Sequence, residues 1–155
     1  MGSSEHSLEV GVPVETLYAA WADPDLLPRS LGAVRRVRRL GERHLLLDVE
    51  LAGLTLLVEV ELTTQRPPEE LAWRAVRGAR HRGRARFERR GPSRSALHLH
   101  VEYEPSGIVE RLIDRLGILQ RALDAELARL RRRVETHHAE AARRGHGPSR
   151  RPRFS

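Results

Sequence analysis

The chain has 155 residues, 39% hydrophobic and 32% charged, with no cysteine, a length that suits one domain with its own core. The lack of cysteine excludes a disulfide framework, a thiolate metal site and a cysteine nucleophile. No apolar run reaches the ~20 residues of a membrane span and MGSSEHSLEV lacks a secretory pattern, so a cytoplasmic protein without a transmembrane segment is expected.

Ser7 to Val10 alternates weakly and reads as a short first strand ending at Gly11. Pro13 then opens a helix, at a position where its missing N–H costs nothing. Leu17, Tyr18 and Trp21 give that helix an apolar side. Asp23-Pro24 breaks it, and Asp23 is placed to cap a second short helix through Leu26 and Leu27.

After Gly32 the period changes from helical to two. Val34, Val37 and Leu40 mark an arginine-rich strand. Leu45, Leu47, Val49 and Leu51 then face one way, with Asp48 and Glu50 opposite. Ala52-Gly53 turns the chain, and Leu54, Leu56, Val58, Val60 and Leu62 continue the apolar face against Glu59, Glu61 and Thr63. Pro67-Pro68 ends this hairpin. Leu71, Trp73 and Ala75 form the next inward set, then Gly83, Ala85 and Phe87, then Leu97, Leu99, Val101 and Tyr103.

From Ile108 the spacing becomes helical again. Val109, Leu112, Leu116, Leu119, Leu123, Leu127, Leu130 and Val134 make one apolar stripe. A coiled-coil dimer would use the same spacing, and the sequence leaves the oligomeric state open. The preceding sheet nevertheless has an apolar face that needs a cover, which places the helix on it. Residues 1–138 therefore read as one domain and 139–155 as a basic, disordered tail. The fold class is α+β: a curved antiparallel sheet of about seven strands around a long C-terminal helix, with two short helices after the first strand.

That order, with the stretches VPVETLYAAWADPDLLPRSLGAV, LTTQRPPEELAWR and HVEYEPSGIVERLIDRLG, resembles the START-like (SRPBCC) polyketide cyclase/dehydrase and coenzyme Q-binding family. The likeness covers about residues 7 to 136. It implies a Bet v 1-like helix-grip fold with a cavity between the sheet and the last helix. Such members hold lipids, sterols or quinones, or act as aromatases and cyclases on polyketides. The motifs are specific for the family and not for an activity.

With the helix on the apolar faces, the ligand wall would comprise Leu47, Val49, Val58, Val60 and Trp73 from the first strands. Ala75, Ala85, Phe87, Leu99 and Val101 would complete it, and Leu112, Leu116 and Leu119 would close it from the helix. Small residues at Ala75, Gly83 and Ala85 would leave room that Leu or Phe would fill. These inward positions include no Asp, Glu, His, Lys, Ser or Cys, so no catalytic residue is assigned and an enzyme is disfavoured. Tyr18, Arg29 and Tyr103 are the polar-tipped candidates for the mouth.

Two outer features compete with a ligand-binding role. His98, His100 and Glu102 share a strand face at metal-ligand spacing, but a site would need ligands from another strand, so no metal and no cofactor is assigned. Arg82, Arg84 and Arg86 make an outward row beside Arg74, and nine arginines fall between 74 and 94 against Glu88 alone. Pairing to Glu59, Glu61 and Glu102 across strands is expected, and no aromatic interleaves the row to stack bases, so nucleic acid is disfavoured as a partner. The net charge of +7 agrees: residues 139–155 hold five arginines against Glu140, leaving the body near balance. The reading is a module that binds a small hydrophobic molecule, lipid, quinone or polyketide-like. The alternatives are an aromatase/cyclase-type enzyme and an interaction domain using the arginine-rich face.

Overall fold

A computed structural model describes residues 2–51, 53–104 and 117–145. Its elements are β1 (Gly2–Val10), α1 (Val14–Ala22), α2 (Leu27–Ser30), β2 (Val34–Arg39), β3 (His44–Leu51) and β4 (Leu54–Arg66). They continue with β5 (Glu70–Arg77), β6 (His81–Gly91), β7 (Arg94–Tyr103) and α3 (Ile118–Gly145). The strands form one sheet in the order β1-β7-β6-β5-β4-β3-β2. Every pairing is antiparallel, so β2 to β7 are a meander and β1 closes against β7. This is the helix-grip α+β architecture.

Alternation fixes which face meets the helices. In β3 and β4, Leu45 lies opposite Val60, Leu47 opposite Val58 and Val49 opposite Leu56, while Glu59 and Glu61 fall on the other side. A slip of one residue would bury those carboxylates, so the apolar pattern selects one register. The inner face continues through Leu71, Ala85, Leu99 and Leu97, all buried. Onto it pack Leu17 and Trp21 from α1 and Leu127, Leu130 and Val134 from α3. Leu17, Leu97 and Leu130 are wholly buried, and each such side chain contributes about 1.5–3 kcal/mol by leaving water.

Polar groups fasten α3 to the loops beneath it. Glu126 accepts the Ala33 N–H at 2.9 Å and Glu135 accepts the Gly11 N–H at 2.7 Å. Ser95, fully buried on β7, donates to the Val12 carbonyl at 2.8 Å. The Ala33 N–H and the Val12 carbonyl would otherwise be buried unpaired, whereas the Gly11 bond is exposed.

Four local features differ from the sequence reading. β1 begins at Gly2, five residues before Ser7, because the inward positions upstream are polar and give no apolar alternation. Asp23 accepts the Asp25 N–H at 2.9 Å and so caps the turn before α2, whose own N-cap, Leu26, makes no side-chain bond. Gly117 has φ +68°, which favours glycine and is not helical, so α3 starts at Ile118; the part of the expected stripe from Ile108 to Leu116 lies outside the described residues. α3 then runs to Gly145, past the boundary drawn after His138; residues 146–155 lie outside the described residues.

Candidate functional site

The expected wall residues share the inner face of the sheet. Cross-strand rows set them side by side: Leu99 opposite Ala85, Val101 opposite Gly83, Gly83 opposite Trp73, and Val60 opposite Ala75. Burial across this face is uneven. Val58, Val60, Ala85, Phe87 and Leu99 are buried, whereas Leu47, Leu56, Trp73, Ala75 and Val101 pack against the core only in part. An apolar patch therefore stays half-covered on the helix side of the sheet. Leu119 is half-buried in the first turn of α3; Leu112 and Leu116 lie outside the described residues.

Gly83 does not leave the room that its size suggests. A β-carbon there would lie 2.2 Å from Cζ2 of Trp73, so the indole itself occupies the space. Trp73 is held on two sides. Its ring stands 6.1 Å from that of Trp21, and its indole N–H donates to Nε2 of His81 at 3.1 Å. Nδ1 of His81 lies 2.9 Å from the Ala79 carbonyl, which can only accept. His81 is thus the Nδ1–H tautomer, and burial pushes its pKa below the usual imidazole value.

The sequence places no Asp, Glu, His, Lys, Ser or Cys among the wall positions of this face, and the structure adds two from β1. Ser4 and His6 alternate inward on β1, on the row of Val101 and the row of Leu99 respectively, and both are buried. The Ser4 hydroxyl contacts Nε2 of His6. Nδ1 of His6 lies 2.6 Å from Oδ1 of Asp124, five residues beyond Leu119 on α3. Because a carboxylate only accepts, Nδ1 carries a proton, and in the neutral ring Nε2 accepts from the Ser4 hydroxyl. The His6 side chain is 2% exposed and that of Asp124 59%, so water reaches the set from the helix side.

The three mouth candidates do not converge. Tyr18 packs edge-on against Phe87, with ring centres 5.1 Å apart, and burial raises its pKa. Phe87 lies opposite Leu97, whereas Tyr103 sits six residues farther along β7, roughly 20 Å away at strand spacing. Arg29 is exposed on α2.

On the outer face Arg74, Arg82 and Arg84 of the arginine row are paired, as is Arg77. Arg74 meets Glu61 at 2.6 Å, Arg82 meets Glu102 at 2.7 Å, Arg77 meets Glu59 at 3.7 Å, and Arg84 meets Glu70. Arg74 holds the Glu61 carboxyl below the usual range; His100 first, then Arg82, do the same for Glu102. His98 and His100 bond to Glu88 and Glu102, each at 3.1 Å. Among the described residues no helix is long and apolar enough to cross a membrane.

Comparison with known proteins gives a consistent picture. The family model described as polyketide cyclase/dehydrase and lipid transport matches residues 1–135. An uncharacterized 17.2 kDa protein of Streptomyces lincolnensis is 28% identical over 141 residues, spanning 90% of this chain and 94% of that relative. Among solved structures, an aromatase/cyclase from Streptomyces sp. R1128 superposes with TM-score 0.71 at 15% identity, covering 94% of this chain and 98% of that one. A START superfamily protein from Mycobacterium smegmatis gives 0.70 at 15% identity, with 90% and 98% coverage. At that identity the two share the fold.

Proposed function

Because the chain belongs to the polyketide cyclase/dehydrase and lipid transport family, we propose that it binds a small hydrophobic molecule between the inner sheet face and α3. The observation that carries this reading is the half-covered apolar patch of Leu47, Leu56, Trp73, Ala75 and Val101 beside the buried Val58, Val60, Ala85 and Leu99. Apolar side chains left partly in water gain stability when a ligand covers them, at about 25 cal/mol per Å² removed from water. Shape and burial would hold the ligand; Trp73, fixed by Trp21 and His81, would give it one rigid aromatic wall.

Ala75 tests this reading. It is only partly buried, so Ala75→Phe can project its ring into the patch while the fold stays cooperative. We expect that variant to lose uptake of an environment-sensitive apolar fluorophore at unchanged far-ultraviolet circular dichroism. Uptake equal to wild type would refute the assignment of the patch. Ala85→Phe is a poorer probe, because Ala85 is 0% exposed and a ring there would overpack the core.

A further inference from the structure

We propose that Ser4, His6 and Asp124 form a nucleophilic relay that cleaves esters or thioesters of a hydrophobic acyl group held against the inner face. The inference rests on the binding reading for its substrate class and goes beyond it in assigning chemistry. Its basis is atom-by-atom connectivity. The Ser4 hydroxyl contacts Nε2 of His6, and Nδ1 of the same ring bonds Oδ1 of Asp124 at 2.6 Å. A serine nucleophile needs this order: a base at its hydroxyl and a carboxylate behind the base that fixes its tautomer. Two side chains at i and i+2 on one strand supply the first link, and a helix packed over that strand supplies the second.

Location adds to connectivity. Ser4 lies opposite Val101, which is itself only partly buried and belongs to the apolar patch. A bound acyl chain lying on that patch would bring its carbonyl carbon toward β1. A histidine and a serine buried on an apolar face carry a desolvation cost that their mutual bonds offset.

The chemistry balances with water as the other reactant. The Ser4 oxygen bonds to the acyl carbon as its proton passes to Nε2 of His6. The bond from that carbon to the alcohol oxygen or thiol sulfur then breaks, and the leaving group takes the proton from His6. Water gives a proton to His6 and adds to the acyl carbon. The Ser4–acyl bond breaks, Ser4 recovers its proton, and a carboxylic acid leaves. Asp124 acts as a positioning residue, holding the Nδ1–H tautomer and the ring orientation.

An alkyl fluorophosphonate tests this directly, because it traps an activated serine without knowledge of the natural substrate. Intact-mass and peptide analysis of the wild-type protein should place one adduct on Ser4. His6→Gln should slow labelling by at least about a hundredfold, as expected when the base of a serine nucleophile is lost. Hydrolysis of 4-nitrophenyl octanoate should exceed that of the acetate, and Asp124→Asn should lower kcat with KM little changed. Since the chain has no cysteine, Ser4→Cys introduces a single thiol. Its alkylation at pH 6–7 should be fast with His6 present and slow in the Ser4→Cys/His6→Gln double variant. Circular dichroism confirms that each variant is folded. A folded wild type that takes up the apolar fluorophore but shows no Ser4 adduct overturns the relay and leaves the binding reading intact. An adduct without uptake does the reverse, and neither signal overturns both. Labelling unaffected by His6→Gln also overturns the relay.

Discussion

Gly83→Ala perturbs the wall at one atom and gives a quantitative test of how that wall is built. The added β-carbon would sit 2.2 Å from Cζ2 and 2.6 Å from Cε2 of Trp73, against 3.4–4 Å for ordinary contact, so the indole must retreat by more than an ångström. It cannot retreat freely, because Trp21 stands 6.1 Å away and Nε1 is tied to His81 at 3.1 Å. Overpacking of this kind costs about 1–3 kcal/mol, and loss of the indole hydrogen bond adds about 0.5–1.5 kcal/mol. The expected loss is therefore roughly 1.5–4.5 kcal/mol, measured as a shift of the urea midpoint at constant slope. Trp73→Leu is itself destabilising, but Gly83→Ala added to it should cost less than about 1 kcal/mol, since the clashing ring is gone. Equal costs of Gly83→Ala in the two backgrounds would refute the claim that Trp73 fills the space over Gly83.

Glu126→Ala should destabilise by about 1–3 kcal/mol, because the buried Ala33 N–H loses its acceptor. In a chain of 155 residues that is a fall in Tm of roughly 2–4 °C per kcal/mol. Glu126→Gln keeps an acceptor oxygen and should recover most of it; an unchanged Tm in Glu126→Ala would contradict the role given to this bond. His81 predicts a pH dependence. Burial lowers its folded-state pKa below the free value of about 6.5, so unfolded chains bind the proton first as pH falls. The stability it contributes is intact above about pH 6.5 and is lost as pH falls through the folded-state value. The wild-type Tm should accordingly fall more than that of His81→Gln on acidification from pH 7, with a change in tryptophan fluorescence as Nε2 is protonated and the Trp73 bond breaks. Parallel Tm profiles would contradict this.

The inner faces of β3 to β7 are legible in the sequence because each strand alternates apolar with charged residues, and a one-residue slip would bury Glu59 and Glu61. The family resemblance rests instead on the two short helices, the end of β4 with the start of β5, and the stretch from the end of β7. What the sequence conceals is polar residues at inward positions. Ser4 and His6 continue the alternation of Leu8 and Val10, but a strand is found by its apolar repeat, and theirs is polar. His81 escapes for the same reason at the start of β6. Asp124 neighbours Leu123 beside the apolar stripe, where only the packing of α3 on β1 reveals its partner. Gly83 misleads in the other direction: size suggests space, yet occupancy depends on where Trp73 lies. The mouth formed by Tyr18, Arg29 and Tyr103 fails to assemble because position along a strand, which faces alone do not give, separates Tyr18 from Tyr103.

Native mass spectrometry of the wild-type protein, incubated with bacterial lipid and quinone extract and then desalted, tests the central claim most directly. The account predicts an adduct of a few hundred daltons that is lost on denaturation, is absent from Ala75→Phe and is retained by Ser4→Ala. A wild-type protein that stays at its bare mass across that extract, or an adduct carried equally by Ala75→Phe, would contradict it.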